Sequence, residues 1–104
     1  MAQLKGKVCL VTGASRGVGK GIALGLAQAG ATVYVTARSG SEVKSGHLPG
    51  SLEQTVSEIE ALGGQGVGVV CDMGDDAQIA ALCQRIDQEQ GGLDMLVNCA
   101  IALP

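Results

Sequence analysis

The chain has 104 residues, 46% of them apolar and 16% charged, which suits one modest domain with a buried core and excludes a disordered, solvating tail. One tyrosine, no phenylalanine, no tryptophan and a net charge of −3 remove the aromatic platforms and basic footprint of a nucleic-acid binder. The four cysteines form no C-x-x-C pair and only His47 could join them, so zinc spacing is missing as well.

In chain order, the first element is a strand over Val8–Thr12, a short apolar run too brief for a membrane span or a secretory signal. A glycine-rich turn, "GASRGVG", leads into a helix whose apolar stripe is Val18, Ile22, Leu26 and Ala29, with Gly30 as its stop. A second strand over Thr32–Thr36 follows. The stretch "RSGSEVKSGHLPG" then reads as a surface loop, rich in glycine, serine and proline. The second helix opens at Ser51, with Gln54 at capping-box spacing. It buries Leu52, Val56, Ile59 and Leu62 and ends at Gly63-Gly64. A third strand covers Val67–Cys71. The third helix starts near Asp75 or Asp76, turns Ile79, Leu82, Cys83 and Ile86 to one face, and ends at Gly91-Gly92. Leu93–Val97 is the fourth strand. Each strand is nearly continuous in apolar residues, as expected where helices cover both faces of a parallel sheet.

Strand–helix alternation of this kind implies right-handed crossovers and an α/β fold: a Rossmann-like, doubly wound parallel sheet. Cys9, Cys71 and Cys99 lie in or beside apolar runs, where a free thiol packs as a small hydrophobe. That usage points to a reducing, intracellular and cytoplasmic setting.

The glycine turn joins the first strand to the first helix, where doubly wound folds place a pyrophosphate. A helix N-terminus offers unpaired N–H groups and partial positive charge, and glycine lets a phosphate approach closely. Two familiar motifs fail letter by letter. A Walker A loop built on Gly19-Lys20 would need glycine at Ala14 and a hydroxyl at Gly21. A G-x-G-x-x-G built on Gly17 and Gly19 would need glycine at Ile22. What remains is T-G-x-x-x-G-x-G: Thr12, Gly13, Gly17 and Gly19.

That pattern, with Asp72-Met73 after the third strand and "LVNCA" after the fourth, resembles the short-chain dehydrogenase/reductase family along the whole chain. The resemblance implies four strands in the order 3-2-1-4 with three helices, forming the N-terminal dinucleotide-binding portion of an oxidoreductase acting on carbonyl or alcohol substrates. It places Thr12, Gly13, Ser15, Arg16, Gly17, Val18 and Gly19 around the phosphates. The resemblance implies that Asp72 and Met73 meet the adenine and that Asn98 and Ala100 contact the cofactor, with Asn98 alternatively tying the strand end to its neighbours. Cys99 and Ile101 depart from the family's N-N-A-G.

NAD-preferring folds usually end the second strand with an acid on the ribose 2′-hydroxyl. Here that place holds Ala37, followed by Arg38, and the nearest acid downstream is Glu42. A guanidinium can pair bidentately with a 2′-phosphate, and Arg16 converges from the glycine turn. NADP(H) is therefore expected over NAD(H).

The family's chemistry uses a Ser, a Tyr and a Lys four residues after the Tyr. The single tyrosine, Tyr34, lies inside the second strand, and four residues on stands Arg38. His47 sits in the surface loop without a nucleophile or orienting acid. The reactive trio would fall beyond the fourth strand, so a cofactor-binding portion without its catalytic part is expected. Apolar surface around Leu10, Leu96 and Val97 would then stay open for self-association. A non-catalytic nucleotide-binding or interaction fragment, pairing with a full-length relative, is the alternative.

Overall fold

A computed structural model describes residues 3–13, 17–37, 50–72 and 74–99. Seven elements alternate: β1 (Val8–Thr12), α1 (Gly17–Gln28), β2 (Thr32–Ala37), α2 (Gly50–Ala61), β3 (Gln65–Val70), α3 (Asp76–Gln90) and β4 (Met95–Asn98). The strands form one parallel sheet in the order β3-β2-β1-β4. This is the expected Rossmann-like arrangement.

Period-two alternation along β1 and β2 explains the layering. Cys9, Val11, Val33 and Val35 point to one face, where Ala23 and Ala27 of α1 and Leu52 and Ile59 of α2 close over them. Val8, Leu10 and Tyr34 point to the other, beneath Leu82 and Ile86 of α3. Both strands are therefore apolar at nearly every position. The loop expected over residues 38–50, His47 included, lies outside the described residues except for Gly50, where α2 begins.

Helix ends follow the glycines. Gly30 takes a φ of 99°, its N–H reaches Ala27 O at 2.9 Å, and the Ala31 N–H reaches Leu26 O at 3.2 Å. Gly63, at φ 88°, repeats this pairing for α2, with Gly63 N on Glu60 O at 3.0 Å and Gly64 N on Ile59 O at 3.2 Å. Crossed bonds of this type satisfy the last carbonyls of a helix. The opening of α3 is capped by Asp75, whose Oδ1 accepts from Ala77 N at 2.9 Å and Gln78 N at 3.2 Å.

Several positions differ from the sequence expectation. On α1 the buried stripe is Gly19, Ala23 and Ala27, while Val18 is 76% exposed. Small residues let the helix sit close to the sheet, and Ile22 and Leu26 straddle the contact half-buried. Leu62 is exposed because it lies past the last residue of α2, in the closing turn. Cys83 is exposed, one position off the Leu82–Ile86 stripe. α2 begins at Gly50, a residue before the expected cap. β3 starts two residues earlier than expected, and β4 two residues later. Leu10 is buried under α3, whereas Leu96 is 58% exposed and Val97 half-buried.

Among the described glycines whose surroundings are resolved, Gly64 leaves the least room for a Cβ. A Cβ there would lie 2.9 Å from Ala27 Cβ and 3.1 Å from both Ala27 Cα and Ala27 O. Backbone cannot yield as a side-chain tip can, so Gly64→Ala is expected to destabilise the fold by about 1–3 kcal/mol. Gly21→Ala, within α1 and with nothing within 4 Å of its would-be Cβ, should stabilise it by about 0.5–1 kcal/mol. Urea unfolding of the two variants tests this opposition of sign.

A candidate dinucleotide site at the carboxyl edge of the sheet

All the sequence-singled residues that the structure describes gather where the strands end. Thr12 closes β1, Asn98 closes β4, Asp72 follows β3, and Gly17 to Gly19 open α1. Ser15, Arg16, Arg38, Met73 and Ala100 lie outside the described residues.

Thr12 is fully buried and makes the polar tie of the site. Its Oγ1 accepts from the Cys99 N–H at 3.1 Å and donates to Asn98 Oδ1 at 2.8 Å. Parallel pairing sets Thr12 opposite Asn98, so the tie continues the β1–β4 ladder one step beyond its backbone bonds. With Oδ1 taken, Asn98 keeps its amide donors for another partner. Its side chain thus serves the strand end first.

The turn after Thr12 needs glycine for backbone reasons. Gly13 has φ 67° and Gly17 φ 68°, the left-handed region that a Cβ disfavours. At Gly17 the space a Cβ would enter is open, with nothing within 4 Å. The first turn of α1 carries no acid that would offset the partial positive charge of its N–H groups. An anion fits this turn.

Asp72 is half-buried and locally engaged. Its Oδ1 accepts from Gly74 N at 2.9 Å, and its N–H donates to Gln78 Oε1 at 2.8 Å. Among the described residues no hydrogen bond reaches its second oxygen, Oδ2. Gln78, which the sequence reading did not single out, also donates from Nε2 to Asp75 Oδ2 at 3.1 Å. The spacing Asp75-x-x-Gln78 is the capping-box signal that could have found it.

Other chemistry-bearing groups are spoken for. Tyr34 is fully buried in β2, its hydroxyl donating to Glu89 and receiving the Gln90 side-chain amide at 3.3 Å. Burial, then the bond to Glu89, pushes its phenol above the ordinary range. The thiols of Cys9 and Cys71 are pushed up chiefly by burial, so neither is poised as a nucleophile. Among the described residues no cluster of His, Cys, Asp or Glu could hold a metal. No helix there is long and apolar enough to cross a membrane.

Comparison with known proteins agrees with the fold. Residues 7–102 match the family pattern described as short chain dehydrogenase. Over 103 residues the chain is 50% identical to mouse "Dehydrogenase/reductase SDR family member 1", covering 98% of this chain and 30% of that protein. Over 102 residues it is 49% identical to the human counterpart, covering 97% and 30%. It thus spans about 30% of the length of these curated relatives. Among solved structures, a metagenomic short-chain oxidoreductase in complex with NADP superposes with a TM-score of 0.83 at 37% identity, over 96% of this chain and 41% of that one. A short-chain type dehydrogenase/reductase from Mycobacterium marinum gives 0.81 at 35% identity, over 98% and 38%.

Two outcomes follow from the bonds at this edge and beneath it. Thr12→Val keeps the shape but takes the acceptor from the half-buried Cys99 N–H and leaves exposed Asn98 to water, which should cost about 0.5–1.5 kcal/mol in chemical denaturation. Faster amide exchange at Cys99 would accompany the loss, and Thr12→Ser should retain most of the stability. Tyr34→Phe tests the buried hydroxyl through pH. Bonds from Tyr34 and then Arg85 hold the Glu89 carboxyl below its ordinary value. A depressed carboxylate adds stability above its unfolded pKa and loses it as pH falls through the folded one. The variant should therefore be less stable than wild type near neutrality, with the gap closing in acid.

Proposed function

The chain belongs to the short-chain dehydrogenase family, and from that membership we propose that these residues bind NADP(H) as the cofactor half of an oxidoreductase acting on carbonyl or alcohol substrates. The observation that carries this reading is the opening turn of α1, acid-free and bare at Gly17, set at the carboxyl edge beside β1. In it, the pyrophosphate rests on the N–H groups of the Gly17–Gly19 turn, flanked by Gly13, Ser15 and Val18. Arg16 and Arg38 grip the 2′-phosphate, where a carboxylate at Ala37 would have repelled it. Asp72 and Met73 face the adenine, and Asn98 and Ala100 close the wall beyond β4. The NADP held by a solved relative supports the cofactor class.

Hydride transfer is the cofactor's chemistry, and the proton that accompanies it needs an acid in reach. The only tyrosine of the 104 residues is sealed in β2 and bonded to Glu89 and Gln90. By this reading, these residues alone bind the dinucleotide without turnover, and the full activity needs a Tyr-Lys pair from elsewhere.

A second reading is favoured by one observation: Leu96 is 58% and Met95 40% exposed on the edge strand β4. The two side chains point to opposite faces of the sheet, and apolar surface left on both sides of β4 suits a non-catalytic fragment that pairs with a copy or a longer relative.

Titration of the chain with NADPH, and with NADH beside it, separates the two. NADPH should bind tighter. Replacing Ala37 by Asp together with Arg38 by Gln should swing the ratio of dissociation constants toward NADH by about ten- to a hundredfold. An unmoved ratio removes Arg38 from the site. Absent binding of either dinucleotide, with self-association in sedimentation, leaves the interaction reading.

A further inference from the structure

Two ion pairs occur among the described residues, and only one joins separate elements. Arg85 and Glu89 are neighbours on α3. Lys20, by contrast, reaches from the first turn of α1 to Glu58 on α2, with Nζ 2.5 Å from Oε2. The Lys20 side chain is 23% exposed, and although the Glu58 side chain is 42% exposed, the paired oxygen itself is buried.

The placement of the cation is the unusual part. A lysine in the first turn of a helix opposes the macrodipole, and anions are what that end favours. Here the ammonium is turned sideways into Glu58 on α2. The pair also sits at a particular height. α1 and α2 share the Ala23–Ala27–Leu52–Ile59 cluster, and Gly64 meets Ala27 toward the amino edge of the sheet. That steric contact fixes one end of α1. Lys20–Glu58 fixes the other, one residue past the Gly17–Gly19 turn, against the helix that follows the segment bearing Arg38.

We propose that Lys20 and Glu58 are a positioning pair for the dinucleotide: their contact holds the first turn of α1 against α2, and so aims the N–H groups that receive the pyrophosphate. This rests on the NADP(H) reading above. Neither residue touches the cofactor in it. The pair acts through Gly17 to Gly19.

The test is a double-mutant cycle on the full chain, with NADPH affinity measured by calorimetry at a temperature where circular dichroism shows each variant folded. Lys20→Met and Glu58→Gln should each weaken NADPH binding by about two- to fivefold. The double variant should be no weaker than the weaker single, and Lys20→Arg should restore most of the affinity. Tighter binding by Glu58→Gln would overturn the proposal, because Lys20 would then act as a bare charge released toward the phosphates. Wild-type affinity in both singles, with only the melting temperature lowered, would also overturn it and leave a simple clamp. If Met at position 20 prevents folding, Glu58→Asp carries the same expectation of weaker binding. A wild-type chain that binds neither NADPH nor NADH overturns the reading beneath the proposal. Wild-type binding with unmoved variants overturns the pair alone.

Discussion

β1 has no solvent-facing side, and the candidate site takes its form from that constraint. All five of its residues are buried, sandwiched by α1 and α2 on one face and α3 on the other, with β2 and β4 on its flanks. A strand so enclosed must satisfy its polar groups from its neighbours. Thr12 is the one polar side chain in it, and it does so by tying β1 to the end of β4 through Asn98 and Cys99. The chain can then leave the sheet at Gly13 without an unpaired hydroxyl beneath it. Burial of the strand, the tie at its end and the left-handed glycines after it are one continuous solution.

What the turn can hold follows from charge rather than shape alone. α1 carries no acid in its first turn, and its one cation there is drawn aside by Glu58. Among the described residues, no acid of that turn offsets the partial positive charge of the helix end. On the far side, Asp72 is held by Gly74 and Gln78 yet keeps one oxygen unused among the described residues. Under the proposed function, the turn meets the anionic middle of a dinucleotide and Asp72 the hydrogen-bonding ring at one end.

Much of this was legible in the residues. Apolar runs at Val8–Thr12 and Thr32–Thr36 marked the two central strands, because strands covered on both faces cannot hide their composition. Gly30, Gly63 and Gly91 marked helix ends, since a left-handed residue is needed there and glycine adopts it freely. The buried stripe on α1 departs from its large apolar residues for a physical reason. Counting large residues singled out Val18, but the close contact belongs to Gly19, Ala23 and Ala27, and small size is a weak signal in a hydrophobicity pattern. β3 begins two residues early because Gln65 and Gly66 pair through their backbones with no apolar side chain to announce them, and β4 begins two residues late because Leu93, apolar but exposed, stands before the ladder that opens at Met95. The role of Gln78 depends on a fold that brings Asp72 to its side, which spacing shows only to a reader seeking a cap.

The small residues on α1 also bear on precision. A phosphate turn is useful only if its N–H groups stay within a few tenths of an ångström of their targets. Large side chains between helix and sheet would leave room for rotamer changes and for sliding. Ala23 and Ala27 have no rotamers to change, and Gly64 admits Ala27 at a distance no Cβ would tolerate. The helix is seated on backbone and methyl groups, the stiffest contact a protein interior offers. The tight seat at the amino edge is what allows a single ion pair at the carboxyl edge to set the direction of the turn.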